Sequence, residues 1–118
     1  MGRPYWKRGE GLWELPVQVT RVLRLPFIGT TLTTAGPRMA RYLTQGVLGE
    51  TLINLELHGI DVLDTSDGLE SLAQHQLDVK IPVRRKLDTF AAVFEKIRDS
   101  GYRFATLKEG ARMCGAAG

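Results

Sequence analysis

The sequence predicts an α/β fold, the C-terminal part of a (β/α) barrel with a thin, mostly parallel sheet. Three strand-like segments are separated by helical patterns, and an order of strand, helix, strand, helix and strand implies parallel pairing through crossovers. A parallel sheet needs helices on both faces, yet the chain offers only two substantial helices. We therefore expect a slice of a larger barrel, with residues 1–118 forming a single domain.

The first strand is predicted over Leu12–Thr20 because apolar and polar residues alternate there with a period of two. Pro16 removes one ladder donor and indicates a strand end, an edge or a bulge. The apolar stretch Arg24–Gly29 contains helix breakers and is predicted to be a loop. A helix is then predicted over Arg38–Val47, with Pro37 suited to its first turn.

The segment Thr51–Leu57 gives the strongest strand prediction, because Ile53, Leu55 and Leu57 share one face. His58–Val83 follows as a long loop with apolar residues of its own, and long loops are often functional or packed over a site.

The clearest helix is predicted over Arg84–Ser100, with Gly101 as its left-handed C-terminal cap. A third strand is expected over Tyr102–Leu107, a helical turn over Lys108–Met113 and a disordered tail over residues 112–118. The apolar stripe predicted for the helix consists of Leu87, Phe90, Ala91, Phe94 and Ile97.

The charge pattern does not favour a nucleic-acid partner, although the formal net charge is +3. Basic clusters at the N-terminus and at Arg84–Lys86 are balanced by an acidic stretch, Asp61–Glu70, so the surface is expected to be mixed. The single cysteine, Cys114, cannot form an internal disulfide, which is consistent with a reducing compartment. With neither a secretory signal nor an apolar stretch long enough to span a membrane, a cytoplasmic location is expected.

His58 is the strongest candidate for chemistry, because it directly follows the second predicted strand. Active sites of parallel α/β folds lie at the carboxyl ends of strands, and histidine exchanges protons near neutral pH. Asp61, three residues later, could orient the ring or hold it charged. The alternative is a surface histidine in a polar loop, and this is the favoured interpretation of His75.

The chain offers no complete metal site and no cofactor fingerprint. A catalytic zinc ion takes about three protein ligands, but the two histidines stand far apart and no His-x-x-x-His pair occurs. A G-x-S-x-G nucleophile elbow, a phosphate-binding loop and a dinucleotide glycine pattern are also missing from the sequence. The sequence therefore predicts no cofactor bound by this chain alone.

The strings GLWELPVQVT, RLPFIGT, LINLELHGID and RDSGYRFATLKEGA together resemble the C-terminal third of NodB-homology polysaccharide deacetylases, the carbohydrate esterase family 4 type. The resemblance covers the chain from about Pro4 to Ala111. It implies a distorted (β/α) barrel that hydrolyses N-acyl groups on amino sugars with a zinc-like divalent metal. The family's metal-binding and catalytic-base motifs lie in its N-terminal part and do not occur here.

The resemblance also implies roles for three residues of this chain. His58 would be the general acid toward the leaving amine, and Asp61, because of its spacing from His58, could be its orienter. Tyr5 and Trp6, in a stretch similar to an Arg-Pro-Pro-Tyr element, would stack on the carbohydrate substrate, unless they are ordinary core or surface aromatics. We therefore expect an isolated chain without activity. The alternatives are a small basic binding module and an assembly subunit that completes a barrel with an N-terminal partner segment.

Overall fold

Helices dominate the regular structure of the protein. The structure is a computed structural model, which describes the backbone of residues 6–8 and 12–117 and the side chains of residues 12–114. A short hairpin, β1 and β2, precedes helices α1 to α4. Their bounds are β1 Trp6–Arg8, β2 Leu12–Glu14, α1 Gly29–Ala35, α2 Pro37–Thr44, α3 Val83–Asp99 and α4 Leu107–Ala117. Four 3₁₀ turns connect α2 to α3, over Gly59–Val62, Thr65–Asp67, Glu70–Gln74 and Leu77–Lys80.

The hairpin is antiparallel, with Trp6 opposite Glu14 and Arg8 opposite Leu12. The ladder ends two residues before Pro16, as the missing N–H of proline predicts. The rest of the first predicted strand forms only an isolated antiparallel bridge, which joins Val19 to Pro26.

The loop predicted over Arg24–Gly29 is confirmed for residues 24–28, which form only isolated bridges. Its last residue, Gly29, instead begins helix α1, which the sequence pattern did not predict. Its sequence, GTTLTTA, is poor in helix formers, but Leu32 and Thr33 are fully buried and tertiary packing overrides the weak propensity. Gly36 alone separates α1 from α2 and has a φ of +84°. This left-handed backbone angle favours glycine, because a side chain would be strained there.

Helix α3 confirms the strongest helix prediction, and Gly101 follows it with the expected positive φ of +92°. Its buried face differs from the predicted stripe, because Leu87 is 52% exposed. The buried side chains of α3 are Lys86, Thr89, Phe90, Val93 and Ile97.

The hydrophobic core lies where α1, α2 and α3 meet. Ile53 and Leu55 pack against its edge, which agrees with their predicted shared face. The buried members of this core are Phe27, Leu32, Ala40, Leu43, Val47, Val93 and Ile97.

The mixed α and β character is confirmed, but the described residues do not contain the predicted three-stranded parallel sheet. Thr51–Leu57 has one parallel bridge, between Glu56 and Ile28. The third predicted strand is wrong, because residues 102–106 form no ladder and Leu107 begins α4. That helix runs as far as Ala117, through most of the segment predicted as a tail. The partial barrel stays a prediction.

Candidate functional site

The candidate site is built on a tight turn at the carboxyl end of the segment Thr51–Leu57. The backbone N–H of His58 donates to Oδ2 of Asp61 at 2.7 Å, and the N–H of Asp61 donates to the carbonyl of His58 at 2.9 Å. These reciprocal bonds close the first 3₁₀ turn and bring the two residues together, as their spacing of three predicts.

Asp61 is completely buried, and helix α1 covers its carboxylate. The hydroxyl of Thr30 donates to Oδ1 at 3.4 Å. A Cβ atom at Gly29 would lie 2.2 Å from Oδ2, so the carboxylate occupies the space that a side chain would need. Sequence reasoning missed both contacts, because they depend on the unexpected helix that begins at Gly29.

The His58 ring projects outward, with 66% of its side chain exposed. Its Nδ1 lies 3.9 Å from Oδ2 of Asp61, which is too long for a hydrogen bond. A ring movement of about 1 Å would bring the two atoms within hydrogen-bonding distance. The pair therefore consists of an accessible proton-exchanging group beside a fixed, buried carboxylate.

Lys86 holds the turn from the opposite side. Its side chain is fully buried, and its Nζ donates to the carbonyls of Ile60 at 2.9 Å and Leu63 at 2.6 Å. The sequence interpretation placed this residue in a surface cluster with Arg84 and Arg85. Its position four residues before Phe90 was the available signal, because residues i and i+4 share one face of a helix.

Asp64 joins the candidate turn to the start of α3. One carboxylate oxygen accepts from the N–H of Ser66 at 2.8 Å, and the other accepts from the N–H of Val83 at 2.6 Å. The Ser66 hydroxyl, followed by the Val83 and Ser66 N–H groups, lowers the pKa of Asp64, with a smaller contribution from the Lys86 charge. Desolvation opposes this shift.

The other sequence candidates do not join this arrangement in the part of the chain that is described. His75 is exposed directly after the third 3₁₀ turn, where its backbone N–H donates to the carbonyl of Leu72, and its side chain forms no hydrogen bond or ion pair with a described residue. Trp6 is described only by its backbone, which pairs with Glu14, and Tyr5 lies outside the described residues.

The divalent metal implied by the sequence resemblance does not match the donor groups at this turn. Among residues 12–114, histidine, cysteine and acidic side chains form no group of three or more that could hold a metal ion. His58 and Asp61 supply one nitrogen and one already hydrogen-bonded carboxylate. The described residues therefore do not make a metal site by themselves.

Comparisons with known proteins leave the family of this chain open. No family model, curated protein or solved structure matches it. Within the described residues, no helix combines the length and apolar character that crossing a membrane requires.

Proposed function

We propose that this chain is the C-terminal part of a NodB-type carbohydrate deacetylase, a partial (β/α) barrel that contributes His58 as general acid. One observation carries the proposal: an exposed imidazole stands beside a buried, anchored carboxylate where a strand-like segment ends. General acids need this combination, because the ring must reach the substrate while its support stays fixed. The sequence resemblance supplies the substrate class, an N-acylated amino sugar.

In the proposed reaction, a base outside this chain takes a proton from water, the water oxygen adds to the acyl carbon, and the bond from that carbon to the sugar nitrogen breaks. Protonated His58 donates its proton to the departing nitrogen, which leaves as the amine. Asp61 limits the positions of the ring and can accept a hydrogen bond from Nδ1–H after the small ring movement described above. Lys86 and Gly29 act only by keeping the turn and the carboxylate in place.

The metal of such a reaction would be held by residues outside this chain, and we assign it no step. Tyr5 and Trp6 are proposed to stack on the sugar ring, since aromatic faces bind the apolar faces of carbohydrates. An isolated chain that lacks both the metal ligands and the catalytic base is expected to release no acyl group, whatever divalent metal is added.

A chimera tests the proposal most directly. Residues 1–118 would replace the C-terminal third of a characterised NodB-type deacetylase that retains its own metal ligands. The intact chimera should release acetate from an N-acetylated amino-sugar oligomer. His58→Gln should lower kcat at least about 100-fold, the usual scale for losing a general acid, with little change in KM. His75→Gln is the matched control and should retain full activity.

Two outcomes would contradict this assignment. One is a folded chimera with bound metal that releases no acetate. The other is a His58→Gln chimera that hydrolyses the oligomer as fast as the intact one. Circular dichroism and metal analysis of each variant separate these outcomes from misfolding.

The non-catalytic alternative, an assembly module, is favoured by a different observation. Two segments predicted to be strands stand apart and leave an apolar groove between them. His58 does not line that groove.

A further inference from the structure

An open groove of about 500 Å³ lies between the segment Thr51–Leu57, residues 101–107, and helices α3 and α4. Its lining is mainly apolar and includes Leu52, Ile53, Leu55, Phe94, Phe104 and Met113. Several lining side chains remain in contact with solvent, since Leu57 is 46%, Met113 51% and Phe104 57% exposed. Exposed apolar surface of this kind marks binding sites more often than ordinary surface does.

One edge of the segment Thr51–Leu57 is already paired. The N–H of Asn54 donates to Oε1 of Gln18 at 3.1 Å, and the carbonyl of Glu56 accepts from the N–H of Gly29 at 2.9 Å. The side-chain amide of Asn54 adds hydrogen bonds to the carbonyls of Leu15 and Pro16. The even-numbered residues of the segment therefore direct their backbone groups toward the body of the protein.

The opposite edge of the same segment has backbone groups that no described residue pairs with. Successive residues of a strand direct their N–H and C=O groups to alternate edges, so the odd-numbered residues face away from Gln18 and Gly29. Among the described residues, none forms a backbone hydrogen bond with the odd-numbered members, which are Thr51, Ile53, Leu55 and Leu57. This edge could pair with a further strand.

The facing wall also has no backbone pairing with the described part of the chain along most of its length. No described residue forms a hydrogen bond with the backbone of Arg103, Phe104 or Ala105. The walls are tied together at one end, where the Tyr102 hydroxyl accepts from the N–H of Gly49 at 2.8 Å and donates to the carbonyl of Glu50 at 2.7 Å. Away from that tie the groove is open.

We propose that this groove receives one extended β-strand of a partner polypeptide. A strand supplies the main-chain donors and acceptors that the free edge lacks, whereas a helix satisfies its backbone internally. Its inward side chains should be apolar, to cover Phe94, Phe104 and Leu57. It should also carry an acidic residue, because Arg103 is the only charged side chain among the described lining residues.

This inference does not require the proposed deacetylase activity, because it concerns main-chain pairing and not hydrolysis. Failure of the chimera would leave it intact, and failure of strand binding would leave the role of His58 intact. Two alternatives compete with a donated strand: a second copy of the chain could occupy the groove, or the two walls could pair directly with each other. The test must distinguish both from a donated strand.

The probe is a seven-residue capped peptide of alternating valine and threonine with one glutamate. Added to the 15N-labelled full chain, it should bind with a Kd below about 1 mM and slow amide exchange at Ile53 and Leu55 more than at Asn54. A peptide of the same sequence, N-methylated at alternate residues on its pairing edge, should bind at least about 10-fold more weakly, since it has lost those donors.

The charge complementarity has its own matched variants. Arg103→Glu should weaken binding of the glutamate peptide about 10-fold, and a lysine-for-glutamate peptide should restore it. Arg84→Glu, an exposed residue outside the groove, should change neither affinity.

Three results would overturn the proposal. The first is the absence of saturable binding up to about 1 mM peptide. The second is equal binding of the methylated and unmethylated peptides, which indicates apolar adsorption without strand pairing. The third is protection of Ile53 and Leu55 before any peptide is added, which assigns the edge to a second copy or to the facing wall. Sedimentation analysis separates those last two occupants.

Discussion

Gly29 and Asp61 are matched to each other at the level of single atoms. The backbone of Gly29 donates to Glu56, while the space beside its Cα is filled by the Asp61 carboxylate. Glycine is therefore required here by close approach and not by an unusual backbone angle. The same carboxylate fixes the backbone of His58, so one small residue on α1 controls the geometry of the candidate acid.

Replacing Gly29 by alanine should destabilise the protein by about 1–3 kcal/mol, the usual cost of overpacking a filled site. The added methyl group would lie 2.2 Å from Oδ2 of Asp61 and must displace the carboxylate or the helix. Urea unfolding measures the change. Gly59→Ala is the control, because a Cβ atom there meets nothing within 4 Å. Equal stability of the two variants would contradict the described contact.

At the scale of residues, sequence reasoning identified the pair of His58 and Asp61 because a spacing of three brings residues together in any helical turn. It did not identify Gly29, Thr30 or Lys86, which reach Asp61 or its turn from 26 to 32 positions away. Such contacts depend on how α1 and α3 pack, and a single sequence does not encode that packing in any local pattern.

At the scale of elements, Asp64 connects a 3₁₀ turn to the start of α3. Its hydrogen bonds to Ser66 and Val83 hold its pKa below the ordinary value of 3.8. A carboxyl group with a lowered folded-state pKa stabilises the protein fully above its unfolded-state pKa. That stabilisation is lost as the pH falls through the lower folded-state pKa.

Asp64→Asn should therefore lower the melting temperature at pH 7, and the difference from the unchanged chain should shrink as the pH falls below about 4. Thermal unfolding followed by circular dichroism between pH 7 and pH 2.5 measures this convergence. Asp88→Asn, at an exposed position on α3, serves as control and should have the same melting temperature as the unchanged chain at each pH. A gap that stays constant with pH would show that the Asp64 charge is not responsible.

The elements also show where local pattern succeeds and where it fails. Helix α3 was predictable, because seventeen residues of amphipathic sequence end at a glycine with positive φ. Helix α1 was not, because its four threonines and one glycine favour other conformations and burial alone overrides them. Alternating patterns at residues 51–57 and 102–107 predicted strands. A ladder also needs a neighbouring strand in register, and the alternation of one segment does not reveal whether such a neighbour is present.

At the scale of the whole molecule, the Tyr102 hydroxyl joins the chain after α3 to the chain after α2. It is the described tie between the two walls of the groove, and its partners lie more than fifty positions away. The core beside it consists of helices α1, α2 and α3, so this bond couples the groove to the most buried part of the protein.

Tyr102→Phe should cost about 0.5–1.5 kcal/mol, the usual net contribution of a hydrogen bond, and should speed amide exchange at Gly49. Chemical denaturation and hydrogen exchange measure the two effects. Tyr42→Phe is the matched control, since that side chain is 69% exposed and has no hydrogen bond to a described residue. Unchanged exchange at Gly49 in the Tyr102→Phe variant would rule out the described tie.

The burial of Lys86 also has a consequence for covalent chemistry. Acylating reagents attack a free amine from solvent, and this amine has no exposed surface while both backbone carbonyls hold it. Exposed Lys80, on the last of the 3₁₀ turns, is open to the same reagents throughout. The rate of acylation at Lys86 relative to Lys80 therefore reports how often the turn that carries His58 opens. Mass spectrometry measures both rates without any substrate.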